Sequence, residues 1–387
     1  MKTLLYPQLL LPQEFGIVSL AFLITAVGAT ITAGGVLDGL VREVPILRGR
    51  QEDTTRLRSA GISAALCAAS FATSGLAIAI GYTIWARDVD SALLWTAPYL
   101  GCTVLVNALV CDLQIREKSL EYAIVLFLKS ALAVPIAIAT APTFGASGVL
   151  AAETAALLAC VALTRLVWSR DLQLITHFVQ DARRLVRSGF SFTLSSFVQN
   201  VGSTIDRWMV QATQGSQGLG TYAFAMNFTS VGLVLVNMLN LYNTPRILRA
   251  YGEDNSPQNA VRQATRVTAV TLTLFAIAAM PILVALPTFV RRWYPSYVDA
   301  LSLLPWVVVG TLAMTASSYD VLFRASGRGT ALLLLQALTA GGTLAAAAMA
   351  AWFGAPLTTY AVIFACGRLA LMASGWIVGS QSLLRAR

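Results

Sequence analysis

The chain has 387 residues, of which 57% are hydrophobic and only 12% are charged, and its mean hydropathy is +0.69. Soluble globular proteins carry about 25% charged residues, so a soluble enzyme, a coiled coil, a disordered chain and a nucleic-acid-binding domain are all disfavoured. The net charge of +9 does not indicate a nucleic-acid partner, because the basic residues are spread between apolar runs and form no single patch.

Long apolar runs follow one another along the whole chain. A membrane-spanning helix needs about 20 apolar residues, and on this measure the sequence predicts about eleven complete spans. Residues 1–13 are apolar but too short to cross a membrane, and they lack the small-residue cleavage site of a signal peptide. The fold class is therefore predicted to be an all-α polytopic membrane protein. The predicted spans are 15–40, 60–86, 92–111, 122–141, 147–168, 190–212, 219–243, 267–290, 299–320, 330–352 and 357–380.

The basic residues predict the orientation of these spans. Alternate loops hold twenty Lys and Arg residues on one side, whereas the other side has only Arg87, Arg291 and Arg292. Since cytoplasmic loops are enriched in Lys and Arg, we expect the basic side and the C-terminus to be cytoplasmic, in the inner membrane. The loops on the other side are short, which argues against an exterior catalytic domain.

The two halves of the chain contain matching landmarks. Internal repeats of this kind predict a duplicated architecture. The offsets stay close to 200 residues and cover an even number of helices, so both halves face the same way. The matches are Pro-Ile-Leu-Arg at 45–48 with Arg-Ile-Leu-Arg at 246–249, Gly16 with Gly220, and Asp112-Leu-Gln-Ile-Arg116 with Asp320-Val-Leu-Phe-Arg324.

We therefore predict two six-helix lobes related by a parallel internal repeat. The N-terminal transmembrane lobe is expected at 1–170 and the C-terminal lobe at 189–387. Between them, residues 171–188 are predicted to form an interfacial helix on the cytoplasmic side, whose arginines bind anionic membrane lipid. The repeat also predicts that most of the first helix of the first lobe is missing from the sequence, with only its end, Leu4 to Leu11, present.

Several short motifs resemble one known family, the polysaccharide (O-antigen or exopolysaccharide) flippases of the multidrug/oligosaccharidyl-lipid/polysaccharide (MOP) exporter superfamily. The resemblance covers nearly the whole chain. The resembling stretches are Leu11-Pro-Gln-Glu-Phe-Gly16, Arg187-Ser-Gly-Phe-Ser191, Ser203-Thr-Ile-Asp-Arg207, Gly218-Leu-Gly-Thr-Tyr222 and Trp293-Tyr-Pro-Ser-Tyr297.

The resemblance implies a transporter that flips an undecaprenyl-pyrophosphate-linked oligosaccharide by alternating access between its lobes. Its expected partners are this lipid-linked oligosaccharide, membrane lipids, and a polysaccharide polymerase with its export machinery. No enzymatic activity and no cofactor are expected. The sequence has no phosphate-binding Gly-rich loop followed by Lys, so ATP hydrolysis is not expected.

Two basic residues lie deep inside predicted spans, where a charge is unfavourable and therefore needs a reason. Arg368 is near the middle of the last span, and Lys129 is about two turns inside the span that begins near Tyr122. Both are candidates to bind the pyrophosphate, Arg through two parallel hydrogen bonds and Lys as a point charge. The alternative is that each side chain reaches the membrane surface or pairs with an acidic neighbour.

Three further residues are candidates within the membrane. Arg207 is a third candidate for binding the substrate, and its neighbour Asp206 points in a different direction on a helix. Asp206 and Glu153 are candidates for coupling transport to a proton or cation. For Asp206 the resemblance favours a structural role, and Glu153 is equally well explained as the buried partner of a base.

The repeated Asp-x-x-x-Arg pairs lie at the cytoplasmic ends of helices. Asp112 with Arg116, and Asp320 with Arg324, are candidates for a cytoplasmic gate. The alternative is that they only anchor the topology, since an exposed pair at this spacing contributes about 0.3–0.5 kcal/mol. Two glycine pairs, 34–35 and 341–342, are predicted to allow close approach of helices.

Three other functions remain open from the sequence. A multidrug/cation antiporter of the same superfamily would be expected to bury acidic residues. A membrane enzyme of glycan assembly is disfavoured by the short exterior loops. A scaffold without transport activity would be compatible with the missing first helix.

Overall fold

The structure is a computed structural model that describes residues 2–32, 34–49, 53–87, 90–116, 118–167, 179–227, 247, 257–315, 319, 322–323 and 329–384. Within these residues every regular element is helical, as the sequence predicts. Two short 3₁₀ helices, Ser91–Trp95 and Pro295–Ser302, accompany the α-helices. The α-helices are α1 (Lys2–Leu9), α2 (Pro12–Thr32), α3 (Val36–Gly49), α4 (Thr55–Arg87), α5 (Thr96–Ile115), α6 (Ser119–Val167), α7 (Val179–Gly202), α8 (205–227), α9 (Pro257–Trp293), α10 (Leu304–Thr315), α11 (Gly329–Trp352) and α12 (Leu357–Leu384).

The chain divides into two compact units. Unit 1 contains residues 1–10 and 17–200, and unit 2 contains residues 11–16 and 201–387. Helix α2 therefore begins in unit 2 and continues in unit 1. The limits predicted for the two lobes and their linker stay a prediction.

The first predicted span, 15–40, is wrong in its boundaries. Helix α2 ends at Thr32, and a separate helix, α3, begins at Val36. The backbone between them passes through Gly34 and Gly35, which have φ angles of +54° and +87°. Only glycine adopts such angles readily, so these two residues end α2 and redirect the chain.

Helix α6 is two antiparallel arms joined at Gly145, where φ is +54° and ψ is −133°. The Thr140 hydroxyl donates to the Gly148 carbonyl (2.9 Å) across this turn, and the Cys160 thiol lies 4.0 Å from the Val125 carbonyl oxygen. A straight helix of 49 residues would be more than twice as long as the hydrocarbon core is thick, about 30 Å. The predicted spans 122–141 and 147–168 correspond to the two arms.

The order of elements in unit 2 repeats that in unit 1. The two 3₁₀ helices begin at Ser91 and Pro295, and each follows a long helix and precedes a buried one, α5 or α10. Further along, Gly145 and Gly354 both have positive φ, and each ends the helix before it. The predicted parallel repeat is thus visible in the secondary structure, and the all-α fold class is confirmed.

Membrane-spanning character is clear, although the number of eleven spans stays a prediction. Six helices in the described part of the chain are long and apolar enough to cross a membrane, or seven if one bent pair is a single span. That pair, Pro295–Ser302 and Leu304–Met314, meets at 63°, so the predicted span 299–320 is not one straight helix. The predicted span 190–212 is also interrupted, by a turn at 203–204.

One buried cluster of unit 1 is formed where α3 packs against α4, α5 and α7. Leu40 and Leu185 are fully buried at its centre. The backbones of α3 and α7 are so close that a Cβ on Gly39 would overlap the Leu185 carbonyl, and one on Gly189 would overlap the Gly35 carbonyl. Gly35 therefore takes part in a close approach, as predicted.

The prediction of a close approach is wrong for Gly341 and Gly342. A Cβ on either residue would meet no atom of the described residues within 4 Å. A glycine pair allows two helices to approach closely only if its face of the helix meets a neighbour, and the sequence of α11 alone does not show which face that is.

Candidate functional site

Helix α8 brings two polar side chains of unit 2 together. Its chain reverses near Gly215, where φ is +65°. As a result Tyr222 lies beside Asp206, and its hydroxyl donates a hydrogen bond of 2.6 Å to the Asp206 carboxylate. Both side chains are buried, Tyr222 completely. Asp206 thus has a buried hydrogen-bond donor within its own helix.

Two arginines lie around this carboxylate. Arg207 follows Asp206 in α8, and Arg368 projects from α12, close enough to Asp206 and Arg207 to interact with both electrostatically. The Arg368 guanidinium carbon is 5.5 Å from the centre of the Phe364 ring, which is cation–π distance. Sequence reasoning chose Arg207, Arg368 and Asp206 separately, and the structure brings all three together.

The arginines keep hydrogen-bonding capacity. Arg207 Nε and Arg368 Nη2 are buried, and neither has a hydrogen-bond partner among the residues that the structure describes. A buried donor without a partner is unfavourable by roughly 1–3 kcal/mol, and more when it is charged. Two guanidinium groups beside one carboxylate therefore form a site that can accept an oxyanion through charge-assisted hydrogen bonds.

Glu153 lies in unit 1, in the second arm of α6. Its side chain is fully buried, and it accepts a hydrogen bond from the hydroxyl of Tyr6 in α1. Tyr99 of α5 is close enough to Glu153 to interact electrostatically. A phenol is therefore a hydrogen-bond donor to this carboxylate, which could not be foreseen from the sequence.

Lys129 lies in the first arm of α6 and is half-buried. It is close enough to Cys160, in the second arm, to interact electrostatically. Lys129 therefore belongs to unit 1, whereas the arginine pair belongs to unit 2. Its role in binding substrate stays a prediction.

The first of the predicted gate pairs is part of a larger ion cluster. Asp112 is 3.7 Å from Arg116, but its main partner is Arg58 of α4. The Arg58 guanidinium binds both carboxylate oxygens, with distances of 2.6 Å from Nε to Oδ1 and 3.0 Å from Nη2 to Oδ2. The Arg58 and Asp112 side chains are only 6% and 1% exposed, so this pair is not a water-exposed anchor. The second pair, Asp320 with Arg324, lies outside the described residues.

The first turns of α7 form ion pairs with α3 and α4, within unit 1. Arg184 binds Glu43 (2.8 Å), and Asp181 binds Arg56 (2.9 Å). The predicted interfacial segment 171–188 overlaps α7 from Val179 onward, and there it continues without a break to Gly202. Arg184 is thus paired with protein, and binding of lipid by its neighbours stays a prediction.

Sequence reasoning missed three residues of these clusters: Tyr6, Tyr222 and Arg58. Each one is buried or partly buried next to a candidate carboxylate. Arg58 was visible only as a basic residue of a cytoplasmic loop. A usable signal was the buried stripe around it, because Leu57, Ala60 and Ala64 recur at helical spacing.

The chain is similar to two protein families. The family model described as polysaccharide biosynthesis protein matches residues 4–249, and the model described as MatE matches residues 192–341. No curated protein sequence matches the chain significantly.

Solved structures of transporters have the same fold. An inward-facing multidrug resistance MATE family transporter of the MOP superfamily aligns with a TM-score of 0.77 and 15% identity, over 99% of this chain and 93% of that chain. An outward-facing one has a TM-score of 0.63 and 14% identity, over 100% and 96% of the two chains. A MOP superfamily transporter from Pyrococcus furiosus, described by the reverse polarity of its binding pocket, has a TM-score of 0.64 and 14% identity over the same shares. At these identities the likeness shows the fold.

Proposed function

We infer that this chain, which belongs to the polysaccharide biosynthesis protein family of the MOP superfamily of transporters, flips an undecaprenyl-pyrophosphate-linked oligosaccharide across the membrane. The glycan moves from the cytoplasmic leaflet to the exterior leaflet by alternating access, and the lipid tail stays in the bilayer. The distribution of basic loops supports the inner membrane and a cytoplasmic C-terminus.

The arginine pair of unit 2 is the observation that carries this proposal. A pyrophosphate presents several anionic oxygens, and Arg207 and Arg368 offer buried N–H groups without partners among the described residues. Asp206 already accepts a hydrogen bond from Tyr222. Its carboxylate therefore balances the charge of the arginines but leaves the N–H groups Arg207 Nε and Arg368 Nη2 available to an anion. The site therefore favours an anion over a cation. This preference disfavours the multidrug/cation antiporter, which needs an acidic site for its substrate.

Unit 1 supplies the residues proposed for coupling. Glu153 is a fully buried carboxylate next to two phenols, Tyr6 and Tyr99, and a buried carboxylate can exchange a proton during transport. Lys129, in the other arm of α6, is proposed as a basic residue of unit 1 that binds the anionic substrate. A polysaccharide polymerase and its export machinery are the proposed partners that use the flipped product.

The test is the amount of lipid-linked oligosaccharide in a deletion strain, measured beside its surface polysaccharide. We expect the intermediate to accumulate and the surface polysaccharide to disappear, and the wild-type gene to restore both. Arg368→Gln is expected to restore neither, at unchanged protein abundance, because the anion loses its buried clamp.

Arg291→Gln is the matched control, since Arg291 lies exposed at the end of α9. It is expected to behave like the wild type. An intermediate pool that stays unchanged on deletion, in a strain with no second flippase, contradicts the proposal.

A further inference from the structure

Besides the two arginines, helices α8 and α12 carry two more buried polar atoms without a described hydrogen-bond partner. Gln211 Oε1 in α8 and Tyr360 Oη in α12 are also buried, and neither has a hydrogen-bond partner among the described residues. Tyr360 is completely buried as a residue. Arg207 Nε and Arg368 Nη2 lie on the same two helices.

One hydrogen bond joins these helices. Gln214 Nε2 donates to the Ala355 carbonyl (3.4 Å), which connects the Gly215 turn of α8 to the residues just before α12. Gln211 lies one turn from Gln214, and Tyr360 lies five residues beyond Ala355. Gln211 is thus about 5 Å from Gln214 along α8, and Tyr360 lies in the first turn of α12, which begins at Leu357. Both residues therefore lie near this junction.

The arginines lie deeper on the same helices. Arg207 is four residues from Gln211, which is about 6 Å along α8, and Arg368 is eight residues from Tyr360, which is about 12 Å along α12. Residues four apart share a helix face. Tyr360, Phe364 and Arg368 follow this spacing, and Phe364 contacts the Arg368 guanidinium. On each helix the neutral polar residue therefore lies at a level nearer this junction than the arginine does.

We propose that Gln211 and Tyr360 hydrogen-bond the hydroxyl groups of the sugar that is attached to the pyrophosphate held by Arg207 and Arg368. This inference rests on the proposed function and extends it to the orientation of the glycan. Sugar hydroxyls both donate and accept, which suits a phenol and an amide. Bare undecaprenyl pyrophosphate has no group that reaches this level, so only the glycosylated lipid satisfies both side chains.

The experiment compares the affinity of the purified protein for two probes, undecaprenyl pyrophosphate and undecaprenyl-pyrophosphoryl N-acetylglucosamine. Tyr360→Phe removes only the hydroxyl. We expect it to weaken binding of the glycosylated probe about two- to tenfold, the range for one neutral hydrogen bond. Binding of the bare probe is expected to stay unchanged. Gln211→Leu is expected to do the same, whereas Arg368→Gln weakens binding of both probes.

Tyr82→Phe is the matched control, because Tyr82 is 65% exposed on α4. If Tyr360→Phe and Gln211→Leu change neither affinity, or change both equally while the wild type binds both probes, the inference is overturned and the proposed function stands. If the wild type binds neither probe, the proposed function is overturned as well. Thermal unfolding of each variant identifies any loss of binding that follows from misfolding.

Discussion

Gly16 and Gly220 occupy equivalent positions in the two repeats. Each packs against the backbone of the residue that lies four positions before the other glycine. A Cβ on Gly16 would overlap the carbonyl oxygen of Ser216, and a Cβ on Gly220 would overlap that of Pro12. The start of α2 and the second arm of α8 therefore cross with a local twofold relationship. Residues 11–16 belong to unit 2, and the rest of α2 belongs to unit 1. The crossing therefore holds the N-terminal end of α2, which is the part in unit 2.

Gly16→Ala and Gly220→Ala are each predicted to destabilise the protein. The added methyl group overlaps a backbone carbonyl, which cannot move as a flexible side chain does, and overpacking of this kind costs about 1–3 kcal/mol. The measurement is thermal unfolding of the purified variants in detergent. Gly75→Ala is the matched control, because within the described part of the chain a Cβ there meets no atom closer than 4 Å. Equal melting temperatures for Gly16→Ala and Gly75→Ala would show that the two backbones at this crossing leave room for a methyl group.

Arg58→Ala is predicted to destabilise far more than Arg116→Ala, although both remove a guanidinium near Asp112. Arg58 binds both carboxylate oxygens in a buried pair, and loss of one partner of such a pair costs about 3–5 kcal/mol. Arg116 is 3.7 Å away and more exposed, so its loss is expected to cost less than about 1 kcal/mol. Unfolding of the two variants checks the difference. Equal losses would mean that Arg116 stabilises Asp112 as strongly as Arg58 does.

The sequence predicts the fold through features that need no knowledge of neighbouring helices. The apolar runs give the helices, and the two arms of α6 and the turn near Gly145 follow from their boundaries. The repeat appears in the sequence at Gly16 and Gly220, and it appears in the structure as the two 3₁₀ helices. The break between α2 and α3 was missed because Gly34 and Gly35 lie inside a continuous apolar run, where a turn and a close approach look the same.

Pairing between distant residues is less predictable. The i,i+4 rule selects Arg116 as the partner of Asp112, but burial and register between α4 and α5 give that role to Arg58. The same limit applies to Glu153, whose phenol donor, Tyr6, lies 147 residues away. A single sequence contains the residue types of these clusters, whereas their partners depend on how the helices pack.

The Tyr6–Glu153 hydrogen bond is predicted to couple α1 to α6 energetically. Tyr6→Phe leaves a buried carboxylate without this donor, whereas in Glu153→Gln the amide oxygen still accepts. A double-mutant cycle of Tyr6→Phe, Glu153→Gln and the double variant should give a coupling of about 1 kcal/mol, because the amide keeps a neutral hydrogen bond and the cycle reports only the additional strength of the bond to a carboxylate. Unfolding is the measurement, and Tyr82→Phe is the control for an exposed phenol. A coupling near zero would show that Glu153 does not depend on Tyr6.

Asp206→Asn is predicted to destabilise more than Tyr222→Phe. The asparagine oxygen can still accept from Tyr222, but the variant leaves Arg207 and Arg368 buried without a negative charge. Loss of one partner from a buried ionic cluster costs about 3–5 kcal/mol, whereas loss of the phenol donor costs about 1–3 kcal/mol. The double variant Asp206→Asn with Arg207→Gln should recover part of this stability, because it removes one of the two uncompensated charges. The opposite result would be an Asp206→Asn variant that is as stable as the wild type but loses the transport that a cation gradient drives. Asp206 would then serve in coupling, and the prediction of a structural role would be wrong.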